Sequence, residues 1–333
     1  MTDFSLERKV AFLRDPEIYP EKPPQVDAIE THMSWLFLTD RSVYKLKKPI
    51  RYDRLDFTTL RLRRFYCEEE VRLNRRLAGT VYRGTIPLTR EEEGALALNG
   101  VGQPVEWLVS MRRLPKSRML DWILARRAVE REEVRAVAHR LAEFYAQASR
   151  VSISPTRLCK RLEEGIRADR QELSRVEFGL PAERIEAIAT NQLAFLKKHA
   201  ALFAERVRQG RIVDGHGDLR PEHICLLSEP VVIDCLEFCP ELREQDPADE
   251  LAFLGLECER LGQARVGRWF IETYEERTGD RLPRPLLDFY RGYRILRRAK
   301  IAAWHLRDPS DRDRAGYEAR ARRYLDLARP LAG

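Results

Sequence analysis

The chain has no run of about 18 apolar residues, the length a helix needs to cross a bilayer, and this excludes a membrane-spanning helix. None of its six cysteines (Cys67, Cys159, Cys225, Cys235, Cys239 and Cys258) forms a C-x-x-C pair, which argues against a zinc site or a dithiol framework. The opening stretch MTDFSLERKVAFL is charged and lacks the apolar core and small-residue cleavage site of a signal peptide. No internal repeat or low-complexity tract interrupts the sequence. Together these absences predict a cytoplasmic protein with reduced thiols and no membrane partner. The composition, 44% hydrophobic and 34% charged, can bury a real core and argues against disorder. At 333 residues the chain can make two modest domains or one two-lobed unit. Lys and Arg total 60 against 53 Asp and Glu, a formal net charge of +7. That excess suits an anionic ligand such as a nucleotide, and it equally suits a well-solvated surface.

Organisation changes along the chain. Residues 5–14 predict a short amphipathic helix, ending before a proline-rich stretch. SWLFLT (34–39) and SVYKLKK (42–48) read as two strands joined by a turn at Asp40-Arg41, and Pro49 ends the second. The segment 58–78 has helical periodicity and stops at Gly79. Short strands are predicted at 81–88, 94–99 and 105–111. Beyond Leu114-Pro115 helices dominate, over 119–149, 156–209 and from Pro247 onward. One hairpin breaks this region: ICLL (224–227) and VVID (231–234) flank the turn Ser228-Glu229-Pro230. A strand-rich part, 1–114, and a helix-rich part, 115–333, define an α+β fold with two lobes.

The informative stretch is GHGDLRPEHICLLSEPVVIDCLEF, residues 215–238. If the two strands pair, His223 and Ile224 lie beside Asp234, while Asp218 sits in the loop that enters the hairpin. Two carboxylates and an imidazole then converge, an arrangement suited to binding a divalent cation and handling a proton.

HGDLRPEHI resembles the catalytic loop of the protein-kinase-like superfamily, H-x-D-x-x-x-x-N, which is followed by a metal-binding aspartate at the end of the next hairpin. The H-G-D form, with QDPADELAFL (245–254) downstream, resembles the aminoglycoside phosphotransferase and choline kinase-like branch. The resemblance spans residues from about 30 to 305 and implies a two-lobed kinase-like fold. It implies that Asp218 accepts or orients the proton of an attacking hydroxyl and that Asp234 holds the metal bridging the phosphates of ATP or GTP. A lysine on the strand after the first hairpin should meet the phosphates. Lys45 is the choice and Lys47, on the same face, the alternative. Its partner acid on the next helix should be Glu70, ahead of Glu68 and Glu69. The stretch Glu106 to Met111, with Trp107 and Val109, would form the edge that receives adenine. Arg220 could bring positive charge toward the transferring group.

The sequence departs from the pattern in three places. His223 stands where an asparagine would be a second metal ligand. It either packs or hydrogen-bonds, or shifts preference from Mg²⁺ to Mn²⁺, or weakens catalysis. THMSW (31–35) stands where a glycine-rich phosphate loop is expected, and Asp234-Cys235-Leu236 lacks the glycine of D-F-G, which disfavours a regulated protein kinase. His216, Asp246 and Asp249 read as braces, and Glu237 as either a metal assistant or a solvated acid. The basic row Arg291, Arg294, Arg297, Arg298 and Lys300 reads as a solvated helix face, or else as contact with an anionic substrate or nucleic acid. Its arginines point away from aminoglycosides and toward an anionic or neutral acceptor. The expectation is a small-molecule kinase acting on a hydroxyl. The alternative is a nucleotide-binding pseudokinase or RNA-associated module, with a metal-dependent phosphohydrolase as a third reading.

Overall fold

A computed structural model describes residues 4–52, 54–307 and 313–329. The chain forms two compact units. One, the sheet unit, runs to Met119 and takes in His223–Leu242; the other, the helical unit, holds Leu120–Glu222 and resumes at Arg243.

The sheet unit opens with α1 (Leu6–Leu13), whose first turn is capped by the Ser5 hydroxyl accepting the Arg8 N–H. Strands β1 (Asp27–Glu30), β2 (Ser34–Leu38) and β3 (Ser42–Lys47) follow, then a ribbon of β4 (Arg51–Tyr52) and β5 (Leu55–Asp56). Helix α2 (Leu60–Ala78) starts at the Thr59 cap and is followed by β6 (Tyr82–Arg90), β7 (Leu96–Leu98) and β8 (Gln103–Arg112). Six of these strands make one antiparallel sheet in the order β1-β2-β3-β8-β6-β7. Alternation along the strands gives each face its own core. Phe37, Tyr44, Leu46 and Leu108 pack with Val10 and Leu13 of α1. Val109 and Met111 pack with Cys67, Val71 and Ala78 of α2.

The helical unit contributes α3 (Leu120–Leu124), α4 (Arg131–Gln147), α5 (Pro155–Leu173), α6 (Ala182–Lys198), α7 (Ala200–Arg208) and the short strand β9 (Val213–Asp214). The chain then returns to the sheet unit for the hairpin β10 (Ile224–Cys225) and β11 (Val231–Val232), paired Ile224 to Val232 and Cys225 to Val231. Cys225 and Val231 complete the core beneath α2, which is why this segment belongs with the sheet. Strand β12 (Glu244–Gln245) pairs with β9 in the helical unit, and α8 (Pro247–Arg260), α9 (Ala264–Thr278), α10 (Arg284–Trp304) and α11 (Arg314–Asp326) complete it. Phe195, Phe203 and Phe289 form part of its aromatic core, with ring centroids 4.9–5.5 Å from the Phe289 ring. No helix among the described residues is long and apolar enough to cross a membrane.

Candidate active site

On β3, Val43, Lys45 and Lys47 point to the face covered by α2, where Glu70 is fully buried. Lys45 Nζ donates to Glu70 Oε1 at 2.9 Å and to Asp234 Oδ1 at 3.0 Å. Lys47 Nζ donates to Glu70 Oε2 at 2.6 Å and to Glu237. Five side chains therefore alternate in sign from Asp234 through Lys45, Glu70 and Lys47 to Glu237. Lys47 is 1% exposed, while the Asp234 side chain is 45% exposed at the open end of the ladder.

Burial opposes every charge in this ladder, and the neighbours decide each outcome. Desolvation disfavours the Lys45 ammonium, but Asp234, Glu70 and Glu237 outweigh it and hold Lys45 firmly protonated. Lys47 is raised in the same way by Glu237 and Glu70. Burial pushes the Glu70 carboxyl up, yet the two lysines leave it below its ordinary value. Glu237 has one close lysine, and there burial prevails and raises it. Glu237 is thus neither a solvated acid nor a free metal assistant, because it closes the ladder on Lys47.

Asp234 adopts φ 62°, in the left-handed region where few side chains rest without support. Two elements supply that support. The Asp234 N–H donates to the Tyr82 hydroxyl at 3.2 Å, and the Cys235 N–H donates to Asn74 Oδ1 at 2.8 Å. Asn74 in turn donates to the Glu70 carbonyl at 2.8 Å, so one helix positions both the ladder and the backbone beneath Asp234. His223 Nε2 lies 3.4 Å from Asp234 Oδ2. The imidazole thus faces the acid and adds no oxygen donor to the set. A single carboxylate fits Mg²⁺ on a nucleotide, because that ion keeps several waters and takes one or two carboxylates plus phosphates. No cluster of three or more metal-ligating side chains occurs among the described residues.

The expected adenine edge is corrected by the strand order. β8 is an interior strand, with Val109 opposite Lys45 on one side and Thr85 on the other. Leu108 is likewise flanked by Leu46 and Ile86, and Glu106 lies opposite Leu88. Backbone groups committed to two neighbours cannot receive a base. The side chains are committed as well. Glu106 takes Arg63 and Lys9 at 2.8 Å each, Val109 is core, and the Trp107 ring carries the Arg64 guanidinium at 4.5 Å.

In the helical unit, the loop after β9 carries Asp218. The N–H groups of His216 (2.9 Å) and Gly217 both donate to the Glu250 carboxylate. Glu250 also accepts from the Tyr145 hydroxyl at 2.8 Å and from Gln245. Gly215 permits this grip, since a Cβ there would lie 2.9 Å from Glu250 Oε2. The Asp218 N–H donates to His216 Nδ1 at 3.3 Å, which makes His216 a brace of the loop. Arg220 Nε donates to Asp218 Oδ2 at 3.1 Å.

The D-P-x-x-D run divides its labour. Asp246 caps α8 by accepting the Ala248 N–H at 2.9 Å and takes both 2.7 Å bonds of an Arg206 fork. Asp249 receives the Arg294 fork at 2.6 and 2.9 Å. Glu250, next in line, is the residue that holds the loop. Sequence reasoning passed over it because a glutamate in a helix's first turn reads as ordinary.

Four members of the basic row on α10, Arg291, Arg294, Arg297 and Lys300, are committed to partners within the helical unit and form no solvated face. Arg291 pairs with Glu259 at 3.0 Å, Arg294 with Asp249, and Lys300 with Asp169. Arg297 donates to the Tyr293 hydroxyl at 2.9 Å.

The family model for the APH phosphotransferase enzyme family matches residues 67–279, more than half of the chain. The chain belongs to that family. This phosphotransferase-family chain is 35% identical over 284 residues to uncharacterized protein Rv2004c of Mycobacterium tuberculosis and to uncharacterized protein Mb2027c of Mycobacterium bovis. The match covers 84% of this chain and 55% of each relative, so the chain spans about half the length of the curated relatives it matches. Among solved structures it is similar to the GDP and kanamycin complex of APH(2")-IIia, with a TM-score of 0.58, 14% identity, and 96% and 97% of the two chains covered. It is also similar to the GDP complex of aminoglycoside 2'-phosphotransferase-IIIa (TM-score 0.52, 14% identity, 98% of each chain). A third likeness is to Plasmodium vivax ethanolamine kinase, with a TM-score of 0.50, 12% identity, and 91% and 82% covered. At these identities the likeness establishes the shared kinase-like fold.

Proposed function

We propose that this member of the phosphotransferase family is a small-molecule kinase that moves the γ-phosphoryl group of ATP or GTP to a hydroxyl. The carrying observation is that Lys45 bonds Glu70 and Asp234 at once, which fixes an ammonium beside an accessible, backbone-braced carboxylate. The sheet unit serves as the nucleotide-binding part. Lys45 meets the phosphates and Asp234 holds Mg²⁺, with His223 orienting that carboxylate. The metal supplies charge neutralisation for the phosphates. The base is read beyond the end of β8, at Leu114, just past the last backbone bond, from the Arg113 N–H to the Arg41 carbonyl at 2.8 Å.

The helical unit supplies the acceptor side. Asp218, held by the loop that Glu250 grips, takes the proton of the acceptor hydroxyl. The hydroxyl oxygen forms the new bond to γ-phosphorus. The bond from γ-phosphorus to the β–γ bridging oxygen breaks, and the nucleoside diphosphate leaves with its electron pair. Arg220 holds Asp218 in position at 3.1 Å.

The test is incubation with γ-labelled ATP or GTP, Mg²⁺ or Mn²⁺, and a metabolite extract. Label should move to an acceptor, and Asp218→Asn should cut transfer by about 10²–10⁴-fold while nucleotide affinity persists. Nucleotide binding without transfer would replace this reading with the pseudokinase, and release of phosphate alone with the hydrolase.

A further inference from the structure

Arg298 behaves unlike the rest of the basic row on α10. Arg291, Arg294, Arg297 and Lys300 each make at least one hydrogen bond within the helical unit. Arg298 makes none among the described residues, although its side chain is only 15% exposed and its Nε is fully buried. Its nearest acids stand outside hydrogen-bonding reach. Asp218 Oδ1 lies 3.9 Å from one terminal nitrogen, and Glu257 Oε1 lies 3.9 Å from Nε.

Both acids already have closer partners. Asp218 receives Arg220 at 3.1 Å, and Glu257 receives Arg260 at 2.8 Å and the Tyr324 hydroxyl at 2.7 Å. The Phe253 and Tyr324 rings flank the guanidinium, with centroids 5.7 and 5.9 Å away. A buried guanidinium without acceptors is costly. Its planar fork matches the paired oxygens of a carboxylate or phosphate.

We propose that Arg298, beside Asp218, forms an oxyanion subsite, so that the acceptor carries a carboxylate or phosphate group as well as the hydroxyl that is phosphorylated. This rests on the reading of Asp218 as the base of phosphoryl transfer. It assigns the acceptor to the hydroxy acids and phosphorylated polyols and sets amino alcohols and aminosugars aside. The charge of the row as a whole does not carry the assignment, because its other members are committed internally.

The experiment titrates the full chain, saturated with ADP and Mg²⁺, with D-gluconate, glycerol 3-phosphate and choline by calorimetry. The bound nucleotide keeps the phosphate probe from occupying the nucleotide's own position. One of the two anions should bind, and which one separates carboxylate from phosphate recognition. Arg298→Gln should weaken that binding by about tenfold or more, and Arg298→Lys, which keeps the charge but not the fork, by less. Equal anion affinity in wild type and Arg298→Gln would overturn the subsite. So would choline binding in preference to both anions, or no binding of either anion while ADP binds. Should ADP itself fail to bind, the kinase reading falls first and the subsite with it. The selectivity of the unaltered chain reads out the proposal even where a variant folds poorly.

Discussion

In the sheet unit, Asp234 is held by side-chain charges, in a ladder running from Lys45 through Glu70 and Lys47 to Glu237. In the helical unit, Asp218 rides on a loop whose backbone N–H groups converge on one carboxylate, Glu250. The first device places opposite charges in series, so that each rung depends on the next. The second surrounds one carboxyl mainly with neutral donors, the His216 and Gly217 N–H groups, the Tyr145 hydroxyl and the Gln245 amide, with the buried Arg294 as its charged neighbour. Removing one member should therefore be more damaging in the ladder than in the loop. A buried ion left without its partner is worse than a buried dipole left without its acceptor.

The largest expected effect follows directly. Lys47→Met leaves Glu70 and Glu237 with one cation fewer and should destabilise the fold by about 3–5 kcal/mol in urea unfolding. Adding Glu237→Leu should recover a large part of that loss. If Lys47→Met costs no more than about 0.5 kcal/mol, as at an unremarkable surface position, the ladder is not an interdependent chain. In the loop, Glu250→Gln keeps the shape but turns an amide toward donors, and we expect a cost of about 1–3 kcal/mol. Phosphoryl transfer should fall with it while ADP affinity is kept. A loss as large as that of Lys47→Met would erase the contrast between the units.

The smallest effect concerns acid. Burial pushes the Asp280 carboxyl up, but Arg206 and the Tyr274 hydroxyl outweigh it and hold it below the ordinary range. The stability it adds is full above the unfolded value of about 3.9 and is lost as pH falls through the lower folded value. Asp280→Asn should flatten the acid limb of an unfolding profile below about pH 4 and leave its neutral region parallel to wild type.

Much of this was open to reading in the chain itself, for physical reasons. Alternation at Val43, Lys45 and Lys47 puts both lysines on one strand face, and helical spacing puts Glu70 opposite them. Turn residues between ICLL and VVID mark the hairpin, although its regular pairing is only two residues long on each side. Other features depend on partners that only folding selects. The resemblance puts the adenine edge at Glu106–Met111, but the order of the sheet places β8 between β3 and β6. Glu237 and Glu250 are written like surface acids, and only a buried lysine or a pair of loop amides gives them their roles. Five basic residues within one helix suggest an exposed stripe. Each of Asp169, Asp249 and Glu259 lies far away in sequence, so their pairing is invisible to local pattern. Strand β1, Asp27–Glu30, was missed because one short polar segment carries little periodicity.

The return of His223–Leu242 to the sheet unit has a consequence for synthesis. When Met119 leaves the ribosome, the growing chain already contains Lys45, Lys47 and Glu70 but neither Asp234 nor Glu237. Two lysines then share one glutamate, and the core beneath α2 still lacks Cys225 and Val231. The nascent first unit cannot finish until more than a hundred further residues have been translated, and the groups it waits for are the two carboxyls that end its own ladder.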